Sequence, residues 1–241
     1  MNKLKIIILI VIVVAGISFV FWNRNTEGST SIKEMRDAKL VVQQGTHTIT
    51  LSPEMYASVI RDEAKNKNRS DYPAEEDVGG RIFLDAQVSS RADMLIMVIG
   101  EEWLSGSGGN GGVVLVAKSD GSGAHVAGWF SSYLDKSLRV SPEGEYAMFT
   151  ESNLSELCIA RSYKLVNIKS STVENINIPK DIALTKKIKL AAEQFDPAVW
   201  TSDNTVQLDI PLKYCATSLD AEVSVDTIRY NIATGEITYA R

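Results

Sequence analysis

The chain has 241 residues, 44% hydrophobic and 23% charged, with 25 Lys and Arg, 30 Asp and Glu, and a formal net charge of −5. That apolar content supports a real hydrophobic core and excludes wholesale disorder, while the acidic balance excludes a general nucleic-acid binder, which needs a basic face for phosphates. Two His and two Cys are too few for a multi-ligand transition-metal site or a disulfide-built scaffold, and neither metal nor cofactor is expected.

Ile6 to Trp22 read IIILIVIVVAGISFVFW, a run without a charge. At about 1.5 Å per residue such a helix reaches roughly 25 Å, against a hydrocarbon core of about 30 Å. Phe21 and Trp22 supply an interfacial aromatic end, and Lys3 and Lys5 before the run predict a cytoplasmic N-terminus with residues 23–241 exported. Residues 1–22 are therefore expected to be a transmembrane signal-anchor, making a single-pass membrane protein. Cleavage is the alternative, but Ile17–Arg24 offers no pair of small residues for a signal peptidase. No Cys directly follows the run, which excludes lipoprotein-style processing. With Lys3 and Lys5 set aside, the exported part carries 23 basic and 30 acidic residues, net −7, and is not drawn to anionic lipid.

Asn23–Ala38 is polar, with Gly and Ser, and reads as a linker or stalk over residues 23–38 carrying at most a short helical piece. The β-rich extracytoplasmic domain is expected over 39–241. Lys39–Leu51 has two β-rich runs around Gln44-Gly45, a hairpin. Ser52-Pro53 gives a helix start, and Met55, Tyr56, Val59, Ile60 and Ala64 at helical spacing predict one helix over 53–67. Asn66–Asp77 is a charged loop.

Strand-like runs then dominate. Met94–Gly100, a loop, Val113–Lys118, a turn at Ser119–Gly123 and Ala124–Trp129 form a first unit. Val140–Thr150, a loop, Tyr163–Lys169, a turn and Thr172–Ile178 form a second. Trp200–Ile210, a loop with Cys215, Thr227–Ile232, a turn at Ala233–Gly235 and Glu236–Tyr239 form a third. Recurrence at about 50–60 residues is what propeller blades or arrays produce, because one small sheet cannot bury its faces alone.

Val140-Ser-Pro-Glu-Gly-Glu-Tyr-Ala-Met-Phe149 resembles the turn-then-strand signature of the periplasmic β-propeller repeats of the TolB type. Thr227-Ile-Arg-Tyr-Asn-Ile-Ala-Thr-Gly-Glu-Ile-Thr-Tyr239 resembles the hairpin that comes after it in that family. Trp200-Thr-Ser-Asp-Asn204 is a degraded form of the first element, and Ser119-Asp-Gly-Ser-Gly123 is similar to a turn of the second. The resemblance spans about residues 94–241 and implies antiparallel β repeats, propeller-like or an incomplete propeller. Propellers typically need four or more blades and three units are legible. The hairpin at 39–51 and a strand near 80–88 are the candidates for a fourth, irregular one. An open sheet, a sandwich, a shared assembly and an α+β fold are the other readings.

Gly106-Ser-Gly108-Gly-Asn-Gly111 fits G-x-G-x-x-G, but a dinucleotide site needs a helix N-terminus directly after it. Gly112 and the β-rich run VVLVAK stand there instead, so a loop between strands is the expectation. Trp103, Gly106, Gly108, Asn110 and Gly111 form the candidate interaction loop, since an exposed Trp beside a flexible loop is a common contact anchor. Trp200 is expected to pack at the inner edge of its unit. No G-x-S-x-G elbow, H-E-x-x-H or Walker loop occurs, and His47 and His125 lie in hairpin regions as surface or packing residues. The acid runs Glu75-Glu76-Asp77 and Glu101-Glu102 read as solvated loops. Cys158 and Cys215 hold similar places in consecutive units, so a disulfide between them and two unpaired thiols are both open.

The leading expectation is a membrane-anchored extracytoplasmic interaction module without catalysis, contacting a protein partner in the envelope through Gly100–Gly112 and Glu151–Arg161. The alternatives are an envelope hydrolase with a carboxylate site and a structural subunit whose sheet is completed by a partner.

Overall fold

The computed structural model describes residues 30–36, 38–68, 80–89, 91, 93–101, 111–134, 136–155, 158–179, 182–183, 186–189, 198–210, 213–215 and 222–240. The signal-anchor expected at 1–22 lies outside them. Among the described residues no helix is long and apolar enough to cross a membrane.

The chain is mainly β and its strand pairs are antiparallel. The first sheet has the order β1 (Thr30–Arg36), β2 (Lys39–Gln44), β3 (His47–Leu51). Its first strand corrects the linker reading of 23–38, because residues 30–36 are already part of the β domain. The segment is charged because it is a sheet edge: Lys33, Met35 and Arg36 are exposed, and Glu34 pairs with Arg36 and Lys39 at 2.9 and 3.5 Å. Charges of this kind discourage pairing with another chain. The helix comes next, as expected. Ser52 is extended, Pro53–Tyr56 form a 3-10 turn, and α1 spans Ala57–Asn66, burying Ile60 and Ala64 one turn apart.

The second sheet is a meander of β4 (Arg81–Ser89), β5 (Met94–Glu101), β6 (Gly112–Lys118) and β7 (His125–Phe130). The third is a meander of β8 (Arg139–Val140), β9 (Tyr146–Ser155), β10 (Cys158–Asn167) and β11 (Thr172–Asn175). The fourth pairs β13 (Val199–Ser202), β14 (Thr205–Ile210), β16 (Glu222–Asn231) and β17 (Ile237–Tyr239) in that order, with β12 (Lys186–Lys189) on the first residues of β16. The second sheet is therefore four-stranded, and the third and fourth have five strands each, one more strand pairing with β10 and β12 pairing with β16. Arg81–Ser89 opens the second sheet and does not join the 39–51 hairpin in a separate irregular unit, which corrects the expected grouping.

Hydrophobic periodicity explains how the sheets stack. β5 and β6 are continuous apolar runs because both of their faces are covered. Leu95, Met97, Ile99, Val113, Leu115 and Ala117 pack with Leu40, Val42, Leu51, Tyr56 and Ile60 of the first sheet and helix. The alternate residues Ile96, Val98, Val114 and Val116 pack with Ala147, Phe149, Val166 and Ile168 of the third sheet. The opposite face of that sheet sends Met148, Tyr163 and Leu165 to Val206, Leu208, Ile210 and Ile228 of the fourth. β14 then alternates strictly, with Thr205, Gln207 and Asp209 half-buried between the fully buried positions. Among the described residues that polar outer face ends the stack and no closed propeller forms.

The Ser-Pro-Glu-Gly turn is built as its residues dictate. Pro142 sits second, the Gly144 N–H donates to Ser141 O at 2.9 Å, and Gly144 has φ +75°. A Cβ on Gly144 would lie 2.2 Å from Ser89 Oγ. Gly144→Ala is expected to cost about 1–3 kcal/mol in denaturant unfolding. In a Ser89→Ala background only the backbone part, about 1 kcal/mol, is expected to remain. Equal costs in both backgrounds would exclude the steric contribution.

Candidate functional site

Strands that alternate direction send their connections alternately to the two ends of a sheet, so the stack has two different ends. At one end lie the first turns of successive units. Ser89 Oγ donates to Gly144 O at 2.9 Å, Arg91 pairs with Glu143, and the Glu143 N–H donates to Asp203 Oδ1. These bonds join the β4–β5, β8–β9 and β13–β14 turns, one from each of three sheets. Trp200 packs on the third core cluster, as expected of an inner-edge residue, and its Nε1 donates to Arg139 O at 3.0 Å.

Beside this row of turns is a groove of about 600 Å³ between the second and third sheets. Met94 and Ile168 give it apolar surface; Arg91, Lys169, Glu143 and Glu145 surround it with both signs of charge. Asn167 also lines it, with its side-chain oxygen engaged by the Ser170 N–H at 3.1 Å. Such a surface suits a polar chain segment with mixed charge. Sequence reasoning missed it because its residues come from two turns and a strand end, far apart in the chain.

The other end carries the second hairpins, and beneath it lies a buried polar network that sequence reasoning also missed. β4 shifts register between Phe83 and Asp85, and the Asp85 carboxylate, 5% exposed, is turned into the core. Tyr133 Oη donates to its Oδ2 at 2.6 Å, and the Ala86 N–H donates to Oδ1 at 2.8 Å. The Leu138 N–H is shared between Tyr133 Oη at 3.1 Å and Asp85 Oδ2 at 3.3 Å. Burial pushes the Asp85 carboxyl above its usual range, outweighing the bonds from Tyr133, Ala86 and Leu138 and the attraction of Arg139. Burial, then the facing carboxylate, likewise raises the Tyr133 phenol. Its ring packs against Phe130 and Phe149, with centroids 5.8 and 6.0 Å away. The one available signal was an acid inside an otherwise strand-like run, IFLDAQV.

Glu151 fastens the same end. Its Oε1 accepts from the Ser131 N–H at 2.9 Å; its Oε2 takes Ser162 Oγ and Lys164 Nζ at 3.0 Å each. Each of the two acids has both of its oxygens engaged by donors of the fold.

Of the expected interaction loop, Trp103, Gly106, Gly108 and Asn110 lie outside the described residues. Gly111 is described: it is buried and directly precedes β6, so it is not an exposed loop tip. The adjacent Gly112 is fixed by packing, since a Cβ there would lie 1.9 Å from Ile99 O. The second expected loop, Glu151–Arg161, is corrected to strand: β9 and β10 pair from Tyr146↔Asn167 to Ser155↔Cys158, leaving only 156–157 between them. His47 and His125 are exposed at the first positions of β3 and β7, in separate sheets. Glu75, Glu76, Asp77 and Glu102 lie outside the described residues, while Glu101 ends β5.

Cys158 and Cys215 are placed opposite one another. The connection from β14 to β16 contains β15 (Lys213–Cys215), which leaves the fourth sheet and pairs with β10 of the third. The register is Ala160↔Lys213, Ile159↔Tyr214 and Cys158↔Cys215. β9 occupies one side of β10 throughout, and β11 covers only Lys164–Asn167 on the other. β15 therefore takes the Cys158–Ala160 part of that edge. Compared with protein-family models and with curated proteins, the chain matches none.

Proposed function

We propose that this chain is a single-pass, membrane-anchored extracytoplasmic module that binds a protein partner of the envelope without catalysis, its repeats forming an incomplete propeller of the TolB-like kind. The carrying observation is how the surface is divided. The two middle sheets are covered on both faces, which leaves the ends of the stack as the irregular surface available for recognition. A long hairpin connection, residues 102–111 between β5 and β6, leaves from the end fastened by Tyr133 and Glu151. The apolar run at 6–22 supplies the anchor, and three successive antiparallel sheets of four or five strands support the repeat reading.

The test is crosslinking of the full chain in native membranes, compared with an anchor-only control carrying residues 1–29. A partner is expected to co-purify, and Trp103→Ala is expected to reduce its capture at least about tenfold. A second variant shortens the loop within Gly106–Asn110, sparing the buried Gly111 and Gly112. Capture unchanged in both variants, with the circular dichroism spectrum retained, would reject this surface.

A further inference from the structure

The β10–β15 ladder is a strand exchange between neighbouring units. The chain leaves the fourth sheet after Ile210, lays three residues along the third, and returns to begin β16 at Glu222. Three residue pairs form a short ladder, and it contains both cysteines of the chain, directly across from each other. Directly opposed residues of an antiparallel pair have Cα atoms about 4.5–5.5 Å apart. A disulfide needs about 4.4–6.8 Å between Cα atoms. A register slip of one residue would separate the two positions along the strands, so the observed pairing is the one that suits a bond.

We propose that Cys158 and Cys215 form an intramolecular disulfide that clasps the excursion strand of the fourth sheet to the edge of the third. The inference rests on the export of residues 23–241 for its oxidising compartment. The oxidant is a disulfide-bearing exchange partner, R–S–S–R. One cysteine thiolate attacks it, giving a mixed disulfide and one R–SH. The second thiolate then attacks the cysteine sulfur, the Sγ–Sγ bond forms, and a second R–SH leaves. Two electrons pass to the partner, and the two thiol protons end on its two sulfurs. The closed loop of about 57 residues is long enough that reduction is expected to lower the melting temperature by about 10 °C.

The experiment uses the full chain. Thiols are trapped with N-ethylmaleimide in intact cells, and the protein is then purified in detergent and weighed by mass spectrometry. No adduct is expected before reduction and two after it, on a chain that runs as a monomer without reductant. In parallel, folded and reduced full chain is exposed to glutathione disulfide, where closure to the same unlabelled monomer is expected. A Cys158→Ala variant supplies the one-thiol reference. Two thiols in cells combined with clean closure in vitro would leave the pairing intact and overturn the compartment assigned to residues 23–241. Failure to close in vitro, closure only in denaturant, or bonding only between chains would overturn the disulfide itself.

Discussion

Asp85→Ala is expected to destabilise the protein by about 3–5 kcal/mol in denaturant unfolding. The substitution leaves three donors without their acceptor: the Tyr133 hydroxyl and the N–H groups of Ala86 and Leu138. Each buried donor so orphaned costs about 1–3 kcal/mol, and Leu138 keeps a part of its bond through Tyr133 Oη. Tyr133→Phe removes the bond between the phenol and the carboxylate and the phenol's share of the Leu138 N–H, which Asp85 Oδ2 still accepts, and is expected to cost less, about 1–2 kcal/mol. A loss below about 1 kcal/mol for Asp85→Ala would mean that water enters and replaces the carboxylate. The same group gives a pH dependence of definite sign. Its folded carboxyl holds a proton above the usual 3.8, so its contribution to stability is full below the unfolded value. That contribution is lost as pH rises through the raised folded value. The stability of the native chain relative to Asp85→Asn is therefore expected to fall across this window. A difference that stays flat with pH would contradict it.

Phe149→Ala is expected to cost about 3–5 kcal/mol, because it empties the middle of the cluster between the second and third sheets. Its ring meets Phe130 edge-on with centroids 5.9 Å apart and also contacts Tyr133. Neighbouring side chains cannot collapse into that space without moving one sheet against the other. On β14 the contrast between faces is the informative measurement. Leu208→Ala should lose about 2–4 kcal/mol, whereas Gln207→Ala on the outer face should change stability by less than about 0.5 kcal/mol. A large cost at Gln207 would mean that a further layer covers this face and that the stack continues.

Much of the architecture was legible from residue patterns. MLIMVIG and GVVLVAK could be read as strands from β-branched and apolar runs alone, and Pro53 with the spacing of Ile60 and Ala64 located the helix. Glycines at Gly121, Gly144 and Gly235 marked turns that adopt positive φ. β1 escaped because a charged edge strand buries too few residues to show a period. The far halves of β9 and β10 escaped because Glu151 and Ser162 look like loop residues when their partners are unknown; the partners are Ser131 and Lys164 and the two residues themselves. Sheet membership was legible for the three units but not for the excursion strand. Nothing local in Lys213–Cys215 says that it pairs with β10 of the preceding sheet and not with β14 beside it. The Asp85 network had a signal, an acid within an apolar strand, but its meaning depends on a tyrosine far along the chain.

The double-sided second sheet has a consequence in time. Its two faces are completed by different stretches of chain, one lying before it and one after. As synthesis proceeds, residues up to Phe130 can finish the face toward the first sheet and α1. Ile96, Val98, Val114 and Val116 stay wet until Ala147, Phe149, Val166 and Ile168 arrive. For that interval the nascent chain displays a flat apolar β surface, the kind most prone to self-association. A chain that folds in this order offers each sheet as a template for the next, and among the described residues the polar outer face of β14 is where that growth stops.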